Sequence, residues 1–249
     1  MFALGLPDFA IVSFIFFAAG AVKGVLGMGL PTVAMGLLGL VLPVAQAAAL
    51  LMAPSFVTNV WQAMRGSHLK AMACRLWPLQ LGVLAGVGLG AGFMQAASGQ
   101  AASLLLGVCL VAYGAAGLAG VRLPRPPERH EPAVSAAVGL ATGLLTAATG
   151  VFVLPAVPYL QALALDKDEM AQALGLSFTV STLALAVVLA AGGHFAPEAA
   201  SQSLLMLLPA LAGMWLGQRL RDAMSQQLFR RILFGGLLLL GLWLLARQA

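Results

Sequence analysis

The sequence predicts an all-α membrane protein of about ten transmembrane segments. These form two inverted five-segment repeats in which segments two and seven are short and interrupted. Three observations predict it: charge is scarce, apolar stretches recur along the whole chain, and basic residues swap sides between equivalent loops. Charged residues make up 8% of the 249, against roughly 25% in soluble domains. Apolar types reach 61%. So few charges cannot cover a water-facing surface, which disfavours a soluble enzyme, a nucleic-acid module and a disordered chain. The formal net charge of +5 reads as loop charge that orients a membrane protein.

A spanning helix takes about 20 mostly apolar residues. The first stretch covers residues 9–27. Only Asp8 precedes it, whereas a signal peptide carries basic residues there, so the segment is expected to stay as a helix. The second covers 30–42 and its 13 residues reach only about 20 Å. The third, fourth and fifth cover 46–64, 76–95 and 101–120. Residues 121–132, with Pro124, Pro126 and Pro127, are the most polar run and read as a cytoplasmic linker. It separates a first repeat, 1–120, from a second, 133–249. The sixth stretch is 133–149. The seventh, 151–165, has 15 residues and again falls short of the roughly 30 Å hydrocarbon core. The last three are 170–192, 199–216 and 228–246.

The halves resemble each other. GAVKG from Gly20 parallels GLATG from Gly139 at an offset of 119, SFVTN from Ser55 parallels SFTVS from Ser177 at 122, and PLQLGVLAG from Pro78 parallels PALAGMWLG from Pro209 at 131. Arg65, Lys70 and Arg75 follow segment three, while the matching loop 193–198 has no basic residue. Loop 96–100 is uncharged, while its counterpart holds Arg219, Arg221, Arg230 and Arg231. Five spans per half require such a swap, because short basic loops stay in the cytoplasm. Ten crossings with the N-terminus outside put 11 basic residues inside, Arg122, Arg125, Arg129 and Lys167 among them, and only Arg247 outside.

Paired short segments at matching places are the best pointer to a transporter site in sequence. Their helix N-termini expose N–H groups that suit an anion. The first junction holds Lys23, Gly24, Gly27, Gly29 and Pro31; the second holds Thr142, Gly143, Thr146, Thr149, Gly150 and Pro155. Lys23 is the one basic residue within a span, which marks it as a candidate anion partner. The bland alternative is a lysine that snorkels to the surface. Ser55, Thr58 and Asn59, with Gln62, share a face of segment three, and Ser177 and Ser181 with Thr182 share one of segment eight. These faces line a cavity or, alternatively, hydrogen-bond helix to helix. Cys74 and Cys109 show no CxxC spacing, His68, His130 and His194 fall in loops without metal-site spacing, and no Walker motif occurs. No metal and no cofactor are therefore expected.

FFAAGAVKGVLGMGLPTVAMGLLGL, GLATGLLTAATGVFVLPAVPYLQALAL and QALGLSFTVST together resemble the TauE/SafE family of sulfite and organosulfonate exporters over nearly the whole chain. The resemblance implies a secondary transporter, not an enzyme, that exports small sulfur-containing anions by alternating access across a bacterial cytoplasmic (inner) membrane. Family members carry a glycine run and a proline after the first helix of each half. Gly27, Gly29 and Pro31 keep most of the first run, and the second is reduced to Thr149 and Gly150 ahead of Pro155. Expected partners are the small anionic substrate and the lipid bilayer, with no nucleic acid; a homo-oligomer is compatible. Transport of another small metabolite and a non-transporting membrane scaffold are the competing readings.

Overall fold

The computed structural model describes residues 6–96, 99–121, 123–193, 197–221, 223 and 225–247, and every regular element among them is helical. The first half holds α1 (Leu6–Leu26), α2 (Leu30–Leu38), α3 (Val44–Met64), α4 (Leu69–Ala96) and α5 (Gly99–Leu118). After a 3-10 turn at Glu128–His130, the second holds α6 (Glu131–Thr149), α7 (Ala156–Ala162), α8 (Lys167–Ala191), α9 (Pro197–Leu220) and α10 (Gln226–Ala246). Eight of these, all but α2 and α7, are long and apolar enough to cross a membrane. The chain is thus a multi-pass membrane protein. Arg122 and His194 lie outside the described residues.

The two short helices are shorter than their apolar stretches: nine residues for α2 and seven for α7. Gly27 and Gly29 adopt φ of 74° and 103°, so α1 stops and α2 starts afresh behind a left-handed cap, with Pro31 in its first turn. Gly150, at φ 70°, ends α6 the same way, and residues 151–153 are then irregular. Both short segments carry the chain backwards. Val41 and Leu42 share a cleft with Asp8, Ile11 and Val12 at the start of α1. Tyr159 of α7 lies 2.5 Å from the Ser135 hydroxyl and donates to the Glu131 carbonyl at 3.4 Å, at the start of α6. Two boundaries also differ from the hydropathy reading. Glu131 and Pro132 belong to α6 rather than the linker, and α4 begins at Leu69.

Glycines set the packing. Gly20 and Gly24 of α1 press on the carbonyls of Ala210 and Met214 in α9, while Gly213 and Gly217 press on those of Phe17 and Ala21. In α6 and α4, Gly139 and Gly143 press on Leu79 and Val83, while Gly82 and Gly86 press on Ala136 and Leu140. The second set is the first with the offsets of 119 and 131 applied. Both pairs run parallel, because contact numbers rise together. By contrast, α5 and α10 are antiparallel: Gly107 meets Gly241 and Leu245, and Gly114 meets Phe234 and Leu238. So are α3 and α8, where Ser55 meets Thr182 and Ala63 meets Gly175. A side chain at any of these glycines would collide with facing atoms, so close helix approach depends on their absence.

Prolines are accommodated too. Pro54 within α3 cannot donate to the Leu50 carbonyl one turn back. Ser203 of α9 donates to that carbonyl at 2.9 Å and accepts from the Ala53 amide at 2.9 Å. Asp166, Asp168 and Glu169, which hydropathy leaves without a role, start α8. Asp166 Oδ1 accepts from the amides of Asp168 and Glu169, and Glu169 Oε2 accepts from the Asp166 amide.

Candidate functional site

Lys23 sits one turn before the end of α1 and is only 3% exposed. Its ammonium does not snorkel. It donates to Thr58 Oγ1 at 3.0 Å and to Asn59 Oδ1, both on α3. These acceptors are fixed from behind. Thr58 donates its own proton to the Pro54 carbonyl at 2.7 Å, which leaves its oxygen free to accept. Asn59 Nδ2 donates to Ser55 Oγ at 3.0 Å, which turns its carbonyl oxygen toward Lys23. Ser55 in turn meets Thr182 Oγ1 of α8 at 3.0 Å, and Thr182 donates to the Phe178 carbonyl. Among the described residues no carboxylate forms an ion pair with Lys23; the pairs there are Arg75–Glu131 and Arg125–Glu128.

Lys23 and Thr58 line a cavity of about 630 Å³, with Gly24, Gly27 and Gln62 beside them. The exposed part of its lining lies at the ends of α3 and α9 and the start of α8. Arg65, Lys167 and Arg221 line this mouth, and Asp168 is the one acid among the cavity's lining residues. Met214, Gln218, Trp61 and Ala171 complete the wall. Arg65 lies 4.9 Å from the Trp61 ring, so its charge stays at the rim rather than pairing below. Among its described lining residues four basic side chains against one acid give the hollow a positive field. At its wall, α3 and α8 are clamped by paired amides: Gln62 donates to the Ala171 carbonyl at 3.0 Å, and Gln172 to the Ala63 carbonyl at 2.8 Å.

Most of the remaining sequence candidates lie away from the hollow. Gly29 and Pro31 form the cap and first turn of α2, and in the next position Thr32 is fully buried with an unpartnered hydroxyl. Thr142, Thr146 and Thr149 are buried and donate to carbonyls of their own helix, those of Val138, Thr142 and Leu145. Gly150 is wedged against Met35 and Ala48, Pro155 caps α7, and Ser181 donates to the Ser177 carbonyl. Ser177 accepts from Gln80 at 2.9 Å. The first junction thus contributes Lys23, Gly24 and Gly27 to the lining of this cavity, and the second contributes none of its described residues. Arg65, Lys167, Gln218 and Arg221 escaped the sequence reading as site residues. For the three basic residues the sole signal there was loop charge, which also serves topology, and uncharged Gln218 gave none.

The repeat offsets relate residues that line the cavity to a second set of positions. The repeat offsets carry Thr58, Gln62, Met214 and Gln218 onto Val180, Ala184, Val83 and Val87. Those residues, with Ala147 and Val188, form a small apolar cluster separate from the main core. Lys23 itself maps onto Thr142. The polar lining of the hollow thus corresponds, at the repeat offsets, to a small apolar cluster.

A family model described as "Sulfite exporter TauE/SafE" matches residues 12–244. No curated protein and no solved structure matches the chain.

Proposed function

Because the chain belongs to the TauE/SafE family, a family of transporters, we propose that it exports small sulfur-containing anions such as sulfite or sulfonates across a bacterial cytoplasmic membrane. The observation that carries this reading is Lys23: a buried ammonium held by two neutral acceptors at the floor of a basic hollow. A buried charge without a counter-ion is costly, and an entering anion supplies one.

Alternating access between two inverted repeats is the mechanism this reading adopts. The glycine contacts that recur at fixed offsets support duplication. The parallel α1–α9 and α4–α6 pairs, with the antiparallel α3–α8 and α5–α10 pairs, support a two-fold axis lying in the membrane. Since α2 and α7 return the chain to the side where α1 and α6 began, ten passages fit, and the basic mouth then faces the cytoplasm. On this account the hollow is the inward-open path, and the Val83–Val87–Ala184 plug closes the outward one.

The test is flux of labelled sulfite and labelled methanesulfonate into proteoliposomes. The wild type is expected to equilibrate at least one of them, and Lys23→Ala to lower the rate at least tenfold while eluting as a single folded species. Wild-type flux in Lys23→Ala removes Lys23 from the mechanism. Absence of flux for both anions in the wild type favours a different solute or a scaffold.

A further inference from the structure

The surroundings of Lys23 bear on what powers the carrier. In its ammonium form the side chain has three N–H donors; in its amine form it has two. The protein offers two acceptors, Thr58 Oγ1 and Asn59 Oδ1, both fixed as acceptors by their own donations to Pro54 and Ser55. The amine is therefore satisfied by the protein alone, whereas the ammonium has one donor and one charge left over for a guest. Among the described residues no carboxylate forms an ion pair with Lys23. α2 holds no titratable residue, α3 is followed by Arg65, α9 carries Glu198 at its start and Arg219 at its end with Arg221 beyond, and α8 brings Lys167, Asp168 and Glu169. Moving an unaccompanied ammonium through a closed carrier would bury a bare charge, which membranes strongly disfavour.

We infer that Lys23 carries one proton with each negative charge, making the protein an electroneutral proton–anion symporter. This rests on the transport reading above. In the cycle, Lys23 ammonium binds the anion from the cytoplasmic mouth and the loaded, neutral site turns outward. The anion leaves, and the ammonium gives its proton to water on that side. The amine, bonded to Thr58 and Asn59, turns back and takes a proton from cytoplasmic water. One proton and one anion have then moved in the same direction, with no net charge. Export consequently runs down the anion gradient against an alkaline interior, each pH unit being offset by an about tenfold anion ratio.

Methanesulfonate is the decisive probe, because it stays ionised and cannot itself ferry a proton. In wild-type proteoliposomes, an imposed pH gradient, alkaline inside, is expected to accumulate labelled methanesulfonate. An internal pH dye should report one proton per anion, and a valinomycin-set potassium potential should leave the rate unchanged. Lys23→Arg, whose guanidinium keeps its proton, is expected to exchange labelled for unlabelled anion yet to lose net flux at least tenfold. Anion flux driven by the potential without matching proton movement overturns the inference and leaves the transport reading intact. Net flux of Lys23→Arg at the wild-type rate overturns it equally. If Lys23→Arg neither exchanges nor transports, the wild-type proton stoichiometry decides alone. No wild-type flux of methanesulfonate or sulfite overturns the transport reading and this inference with it.

Discussion

The Lys23 ammonium depends on residues that never touch the cavity. Ser55 orients Asn59, and Asn59 presents its oxygen to Lys23. Removing the Ser55 hydroxyl costs a buried hydrogen bond, about 1 kcal/mol, and frees the amide to turn. Ser55→Ala is thus expected to slow anion flux roughly fivefold and to lower stability by about 1 kcal/mol or more, since Thr182 loses its partner too; Asn59→Leu, which deletes an acceptor outright, should slow flux further. Rates for both in proteoliposomes, set beside melting in detergent, check this ranking. The polar face of α3 was legible because Ser55, Thr58, Asn59 and Gln62 share helical spacing in an apolar stretch. Thr142, Thr146 and Thr149 of α6 also stand at helical spacing in an apolar stretch but donate to their own backbone. Spacing reveals the face a residue occupies; whether its hydroxyl turns back on the helix is decided by the neighbour packed against it.

Among elements, the parallel glycine-lined pairs α1–α9 and α4–α6 hold the halves together. Gly82→Leu or Gly213→Leu drives a side chain into a facing carbonyl and is expected to cost at least about 1–3 kcal/mol. The cost should appear as lower melting in detergent and loss of a monodisperse peak. Gly88→Leu and Gly92→Leu on the same α4 meet open space and should behave as wild type. A second prediction concerns the half-buried Arg75–Glu131 pair, bonded at 2.6 and 2.9 Å, which joins α4 to the start of α6. Glu131→Gln leaves Arg75 with a weaker partner and should lower stability by about 1–3 kcal/mol, measured the same way. Apolar runs and glycine-proline punctuation made all ten helices legible, because those signals are local. The true lengths of α2 and α7 were not, since apolar residues 39–42 and 151–155 serve as non-helical connections. That choice follows from left-handed glycines and buried surroundings, which hydropathy does not register.

At the scale of the molecule, the cavity joins residues almost 200 positions apart, Lys23 to Arg221, through the α1–α9 contact. No sequence window contains it, which is why its mouth was legible only as loop charge. The orientation proposed above makes a direct forecast. In a Cys74→Ser, Cys109→Ser background, Arg65→Cys and Arg221→Cys should react with an impermeant maleimide from the cytoplasmic side, and Val41→Cys from the opposite side. Labelling of Arg65→Cys and Val41→Cys from one side would remove the returning passage of α2.

The plug built from Val83, Val87, Ala147, Ala184 and Val188 has a kinetic consequence. On the alternating-access cycle proposed above, the departing solute passes these apolar residues, whereas it enters past Arg65, Lys167 and Arg221. That cycle predicts tighter capture on the basic face than on the apolar one. Half-saturation should come at low concentration inside and high concentration outside, so released molecules seldom re-enter. Gradients still fix the net direction, but such lopsided affinities let a small internal pool drain quickly into dilute surroundings.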